Sequence, residues 1–217
     1  MNSIKQIEVI YNNRLVGRLA LTREGLCAFE YSAEWLSSGF SISPFELPLR
    51  SGVFIAKPRP FEGGFGVFDD CLPDGWGLLI LDRYLQQKGI NPRTLTLLDR
   101  LALVGSTGRG ALEFRPDNSV VTRQDFADFE KLALEAEKIL ASDDYMGEGI
   151  EEFQDRGGSP GGARPKIFVR YNDKEWLVKF RAKRDSQSIG VDEYRYSLLA
   201  KECGIEMPET RLFEGKY

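Results

Sequence analysis

The chain has 217 residues, 42% apolar and 29% charged, with a formal net charge of −4. That mix belongs to a folded globular protein, so disorder as the main state is excluded, and the length suits one large domain or two small ones. There is no histidine, which rules out Ser-His-Asp and Cys-His catalysis and His-based zinc sites within the chain.

Aliphatic runs such as Leu78 to Leu81 stop at four residues, where a membrane span needs about 20. Met1 to Glu8 carries Lys5 and Glu8 and no apolar stretch, so no secretory signal is expected. Cys27, Cys71 and Cys203 are too scattered for a disulfide framework or a CxxC metal site, and a reducing cytoplasm is the expected location.

Alternating apolar residues predict a hairpin over Ile4–Thr22, turning at Asn12-Asn13, and a third strand over Leu26–Tyr31. Phe40–Lys57 reads as loop with few strands, and Phe61–Gly66 as a Gly/aromatic loop. A helix is expected after Asp74, a good N-cap, ending at Gly89. Another opens at Asn91-Pro92 and runs to about Val104. A turn over Gly105–Gly110 and a strand over Ala111–Arg115 follow. Thr122 to Asp125 resembles a capping box, ahead of a helix with apolar residues at Phe126, Phe129, Leu132, Ala133, Ala136, Ile139 and Leu140.

Ser142–Asp155 is rich in Asp, Glu and Gly and reads as an exposed acidic linker. Past it, a loop over Gly157–Gly162 leads to strands Ile167–Tyr171 and Glu175–Arg181, joined by Asn172-Asp173. A helix over Val191–Cys203, capped by Gly204, and a strand over Glu209–Phe213 complete the chain.

Charge changes sign at the linker's end. Gln124 to Asp155 holds 11 acidic and 2 basic residues, and Arg156 to Arg184 holds 9 basic and 2 acidic. An acidic helix beside a basic hairpin is the plain reading, and a basic segment facing an anion is the sharper one. The basic stretch is short and the whole chain acidic, so a phosphorylated small molecule fits better than nucleic acid.

Three features then follow in order: the run Gly157-Gly158-Ser159-Pro160-Gly161-Gly162-Ala163-Arg164-Pro165-Lys166, the strand residue Lys179, and the helix residue Glu193. Glycines let backbone amides approach phosphate oxygens closely. A strand lysine adds fixed positive charge, and a helix glutamate holds that lysine in place. Strand alternation puts Trp176, Val178 and Phe180 on one face and Leu177, Lys179 and Arg181 on the other. Singly, a strand lysine is usually a surface residue and a Gly-rich loop a flexible turn. The ordered triple is more specific than any member.

These residues also carry a family resemblance. Ser159 to Lys166 resembles the S-x-x-G-A-Q-x-K loop of the HipA-type serine/threonine kinases, toxins of bacterial toxin–antitoxin pairs. Asp192-Glu193-Tyr194 with Leu198 to Glu202 and Gly204 resembles the family's N-E-Y…L-L-A-K-E-x-G helix. Phe68 to Asp74 resembles its F-x-x-L-L-P-D segment, and Val104-Gly105 through Gly110-Ala111 is similar to a weaker family segment. The resemblance implies that Ser159 is a self-phosphorylated regulatory serine. It implies that Gly161, Gly162 and Ala163 lie over the phosphates of ATP, that Lys179 contacts phosphate, and that Glu193 is its partner. Arg164, where the family usually has Gln, and Pro160, which lacks an amide donor, depart from the pattern. Phosphorylated Ser159 would gain about −1.5 to −2 of charge, and Arg156, Arg164 and Lys166 are near enough in sequence to capture it.

The expected fold class is α+β. An N-terminal subdomain with a small antiparallel sheet and helices spans 1–141, the acidic linker spans 142–155, and part of a protein-kinase-like N-lobe spans 156–217. No H-R-D or D-F-G pattern occurs, so no catalytic residue is expected in the chain. A catalytic C-lobe, and Mg²⁺ with it, would come from elsewhere, and the chain alone is expected to transfer no phosphoryl group. A split kinase, a fragment and a binding module are the competing explanations. The alternative function is a non-catalytic interaction or regulatory subunit of a toxin–antitoxin system. The partners implied are a HipB-like helix-turn-helix antitoxin or a separate C-lobe chain, with DNA reached only through the antitoxin and no membrane.

Three other features are read as structural. Asp69, Asp70 and Asp74 are turn acceptors and a cap before they are metal ligands. Gly105 to Gly110 lacks the phosphate-loop Lys-Ser/Thr ending. Phe61, Phe65, Phe68 and Trp76 are read as core.

Overall fold

The computed structural model describes residues 3–119, 128–157, 161–213 and 215. Strand β1 (Gln6–Tyr11) turns back into β2 (Arg14–Leu21) through Asn12 and Asn13, both at positive φ. Asparagine tolerates that conformation, and its twist matches the strands it joins. With β3 (Cys27–Tyr31), β4 (Val53–Ile55) and β5 (Glu113–Arg115) these form an antiparallel sheet of order β4-β3-β2-β1-β5. One face buries Ile7, Val9, Leu19 and Phe29 against Trp35, Phe68, Leu98 and Leu101. Those partners come from helices α1 (Ala33–Ser38), α2 (Gly66–Asp69) and α4 (Leu97–Val104). The fold is mixed α+β, as its pattern of elements predicts.

Helix α3 (Gly75–Gln87) begins just after Asp74, as expected. The single helix expected from Asn91 divides in two. Pro92–Thr94 forms one 3-10 turn, Leu95 is extended, and Thr96 starts α4 with a reciprocal capping box to Asp99. That box satisfies two orphan donors at once, so the break costs little. The expected capping box at Thr122–Asp125, and Phe126, lie outside the described residues. Phe65, Phe68 and Trp76 are core, as read from the sequence, while Phe61 is only partly buried.

A second core joins elements from both sides of the expected boundary. Trp76, Ile80 and Tyr84 of α3 share it with Leu132, Ala136 and Ile139 of α5 (Phe129–Ala141). Ile167 and Val169 of β6 (Lys166–Tyr171), with Phe180 just past β7 (Lys174–Lys179), close it. The segment read as an exposed linker contributes too, and that reading is corrected. Gly149–Gly157 forms helix α6, whose Ile150 and Phe153 are fully buried. The Phe153 ring meets Trp76 edge-on at 5.0 Å between centroids and Phe180 at 6.0 Å. Its acidic residues are the solvent face of an amphipathic helix, and a count of charge does not reveal the apolar pair between them.

Helix α7 (Ile189–Glu202) ends the regular structure, with Gly204 at positive φ beyond it. Glu209–Phe213 is not a strand, contrary to expectation. It is held by side chains: Glu209 pairs with Lys174, Arg211 lies over the Trp176 ring, and Thr210 meets Ser197. No described helix is long and apolar enough to cross a membrane.

Candidate functional site

The two-residue turn Asn172-Asp173, both at positive φ, fixes the register of β6 and β7. That register sets Lys166 directly opposite Lys179, and directly opposed residues share a face of the hairpin. Trp176, Val178 and Phe180 turn into the second core, while Leu177 and Lys179 stay exposed. Lys179 Nζ donates to the Glu193 carboxylate at 2.9 Å. Helix α7 starts at Ile189, two residues before the expected Val191, so Glu193 stands in its second turn. This pair is about half exposed and contributes at most about 1 kcal/mol to stability. Its effect is to fix where the ammonium group lies.

Lys166 is buried, and its Nζ donates to the Gly161 carbonyl. Burial pushes its pKa down, the positive charges of Lys179 and Arg164 push the same way, and Asp74 and Glu193 oppose them. Two ammonium groups opposed across a hairpin repel each other. An anion over this face would relieve that repulsion.

Gly161, Gly162 and Ala163 form an exposed bend before β6. Its backbone is held by the start of α3. The Gly162 amide donates to Asp74 Oδ1 at 2.8 Å, and the Gly162 carbonyl accepts from the Trp76 amide at 3.1 Å. Gly75, at φ +45°, lies so close that a Cβ there would come within 2.7 Å of the Gly162 carbonyl. Asp74 occupies the N-cap position of α3, yet its side chain makes no capping bond. Its carboxylate reaches the loop instead.

Arg164 grips Asp185 with two hydrogen bonds, at 2.8 and 2.9 Å. Those bonds raise the Arg164 pKa and lower that of Asp185. Arg156, expected near Ser159, is buried with its Nε 3.8 Å from Glu152. Ser159 itself lies outside the described residues.

Of the residues expected from the sequence, Lys179 and Glu193 are in contact. Gly161 to Ala163 connect to them through Lys166, which touches Gly161 and faces Lys179. Sequence reasoning ended the loop at Lys166 but did not set it opposite Lys179, and it missed Asp74 as a member of the site. The signal for Lys166 was present, because a two-residue turn at Asn172-Asp173 opposes positions 166 and 179. Asp74 carried no such signal, since its local context fits an ordinary cap.

Amides of an exposed bend and two ammonium groups from one face of the hairpin are the kinds of group that bind phosphate oxygens. Among the described residues, no group of three or more Asp, Glu, Cys or His side chains is arranged to hold a metal ion. A surface hollow of about 250 Å³ lies between Ser3, the Gly89–Asn91 turn and Asp99, and none of these residues belongs to the site.

Residues 7–115 match the family model for the HipA N-terminal domain, and residues 158–217 match that for the HipA-like C-terminal domain. Comparison with curated proteins gives no match.

Proposed function

The chain belongs to the HipA family, and from that premise we propose that it supplies the ATP-binding and regulatory part of a HipA-like serine/threonine kinase, the toxin of a toxin–antitoxin pair. The observation that carries this reading is the Lys179–Glu193 pair at 2.9 Å, which joins α7 to the hairpin that the Gly-rich bend leads into. Lys179 would neutralise phosphate oxygens, and Glu193 would keep it from swinging into solvent. Amides of Gly161, Gly162 and Ala163 would approach the same oxygens unobstructed by large side chains. Lys166, buried at the base of the bend, would add a second charge from below.

Regulation by self-phosphorylation at Ser159 rests on the resemblance of Ser159–Lys166 to the family loop. Phosphoryl transfer would further need a catalytic aspartate and acidic metal ligands, so Mg²⁺ belongs to the reading only together with a C-lobe. A helix-turn-helix antitoxin or a chain carrying a C-lobe is the partner it calls for, with DNA contact through the antitoxin.

Calorimetric titration of a non-hydrolysable ATP analogue into the chain tests the reading. Saturable one-to-one binding is expected, weakened at least about tenfold in Lys179→Ala, the loss expected for a charge-assisted contact. Equal binding by parent and variant contradicts it. A second reading, a non-catalytic interaction subunit, draws on Tyr196, Leu198, Leu199 and Ile205, apolar and exposed on and just after α7. Tight binding of a partner protein with no nucleotide binding would favour it.

A further inference from the structure

The charges around the Gly-rich bend are already balanced. Lys166, Lys179 and Arg164 supply three cations, and Asp74, Glu193 and Asp185 three carboxylates. Two of these carboxylates are accounted for by the neighbours they hold. Glu193 fixes Lys179, and Asp185 fixes Arg164 while also accepting from the Ala182 amide. Asp74 differs. It comes from α3, 88 residues away in sequence, and it bonds the backbone amide of Gly162. That amide is one of the donors an incoming phosphate would use.

Three observations make this contact a built one. Asp74 stands where it could cap α3 but does not. The next residue, Gly75, takes a positive φ, and a Cβ there would collide with the Gly162 backbone. The residue after that, Trp76, donates its amide to the Gly162 carbonyl while its ring is buried against Phe153. The turn is therefore anchored in the second core and laid along the bend, with a carboxylate on the amide.

We propose that Asp74 is an internal stand-in for a phosphate group: it holds the Gly162 amide, and a bound polyphosphate must displace it. A carboxylate and a phosphate cannot share one amide, and two anions at that distance repel. Asp74 would thus act as a brake on anion binding, set by the N-terminal part of the chain. Whatever moves the start of α3 would change affinity at the bend. This inference rests on the reading of the bend as a phosphate site.

The test is titration of the non-hydrolysable ATP analogue into the full chain carrying Asp74→Asn or Asp74→Ala, beside the parent and Lys179→Ala. The asparagine variant keeps an acceptor for the Gly162 amide and guards against loss of fold, which circular dichroism verifies. Both Asp74 variants are expected to bind about five- to tenfold more tightly than the parent, the scale of one partly exposed charged hydrogen bond. The gain should shrink as salt is raised. If Asp74→Ala binds more weakly while Asp74→Asn matches the parent, Asp74 is a tether for the loop and the proposal is overturned. Unchanged affinity in both variants overturns it as well. In either of those cases loss of binding in Lys179→Ala leaves the phosphate-site reading standing. If neither the parent nor any variant binds, both fall together.

Discussion

Lys166 and Lys179 show how a site can oppose stability at the level of single side chains. Lys166 is buried, faces a second ammonium group across the hairpin, and has its pKa driven down by desolvation and by that neighbour. A protein selected only to fold would place an apolar residue there, since replacing buried charge by packed hydrocarbon is often neutral or stabilising. Lys166→Met is therefore expected to leave stability unchanged or to raise it by up to about 1 kcal/mol, within the usual range for such exchanges. The same change should weaken binding of the ATP analogue. Urea denaturation beside the binding titration checks both halves, and a variant that loses stability while binding normally would assign Lys166 a structural role. At this scale the sequence was informative where geometry is short-range. Strand alternation sorted Trp176, Val178 and Phe180 from Lys179, and the paired turn residues fixed the register. It was silent on Asp74, whose contact spans 88 positions.

Among the elements, α6 carries the clearest lesson. Its composition is acidic enough to read as a solvated linker, but Ile150 and Phe153 fall three residues apart and share one helical face. Two apolar residues in a charged stretch are a weak signal by themselves, and only the cavity formed by Trp76, Phe180 and α5 gives them a destination. Phe153→Ala is expected to cost about 3–5 kcal/mol, the usual loss for a buried phenylalanine. A shift in the urea midpoint measures it, and a change under about 0.5 kcal/mol would mean that α6 is peripheral. Similar reasoning explains the other departures. The helix expected from Asn91 breaks because Thr96 and Asp99 form a second start signal inside it. Glu209–Phe213, expected as a strand, is held through side chains instead, with Arg211 over Trp176.

For the whole molecule, the two cores do not divide at the expected boundary. The antiparallel sheet closes over the first, whereas α3 leaves that part of the sequence to pack with α5, α6 and the β6–β7 hairpin in the second. This sharing brings the start of α3 to the Gly-rich bend. The α+β class and the first three strands were legible because they rest on local alternation and turn chemistry. The sharing of α3 was not, because it depends on which apolar faces find each other once the chain has folded. The central claim is that the bend and Lys179 together receive phosphate. The most direct measurement follows the backbone amide resonances of Gly161, Gly162 and Ala163 as an ATP analogue is added. The account predicts that these three shift in the parent chain and need at least about tenfold more analogue to shift in Lys179→Ala. Saturable binding that leaves all three unmoved in the parent would contradict it.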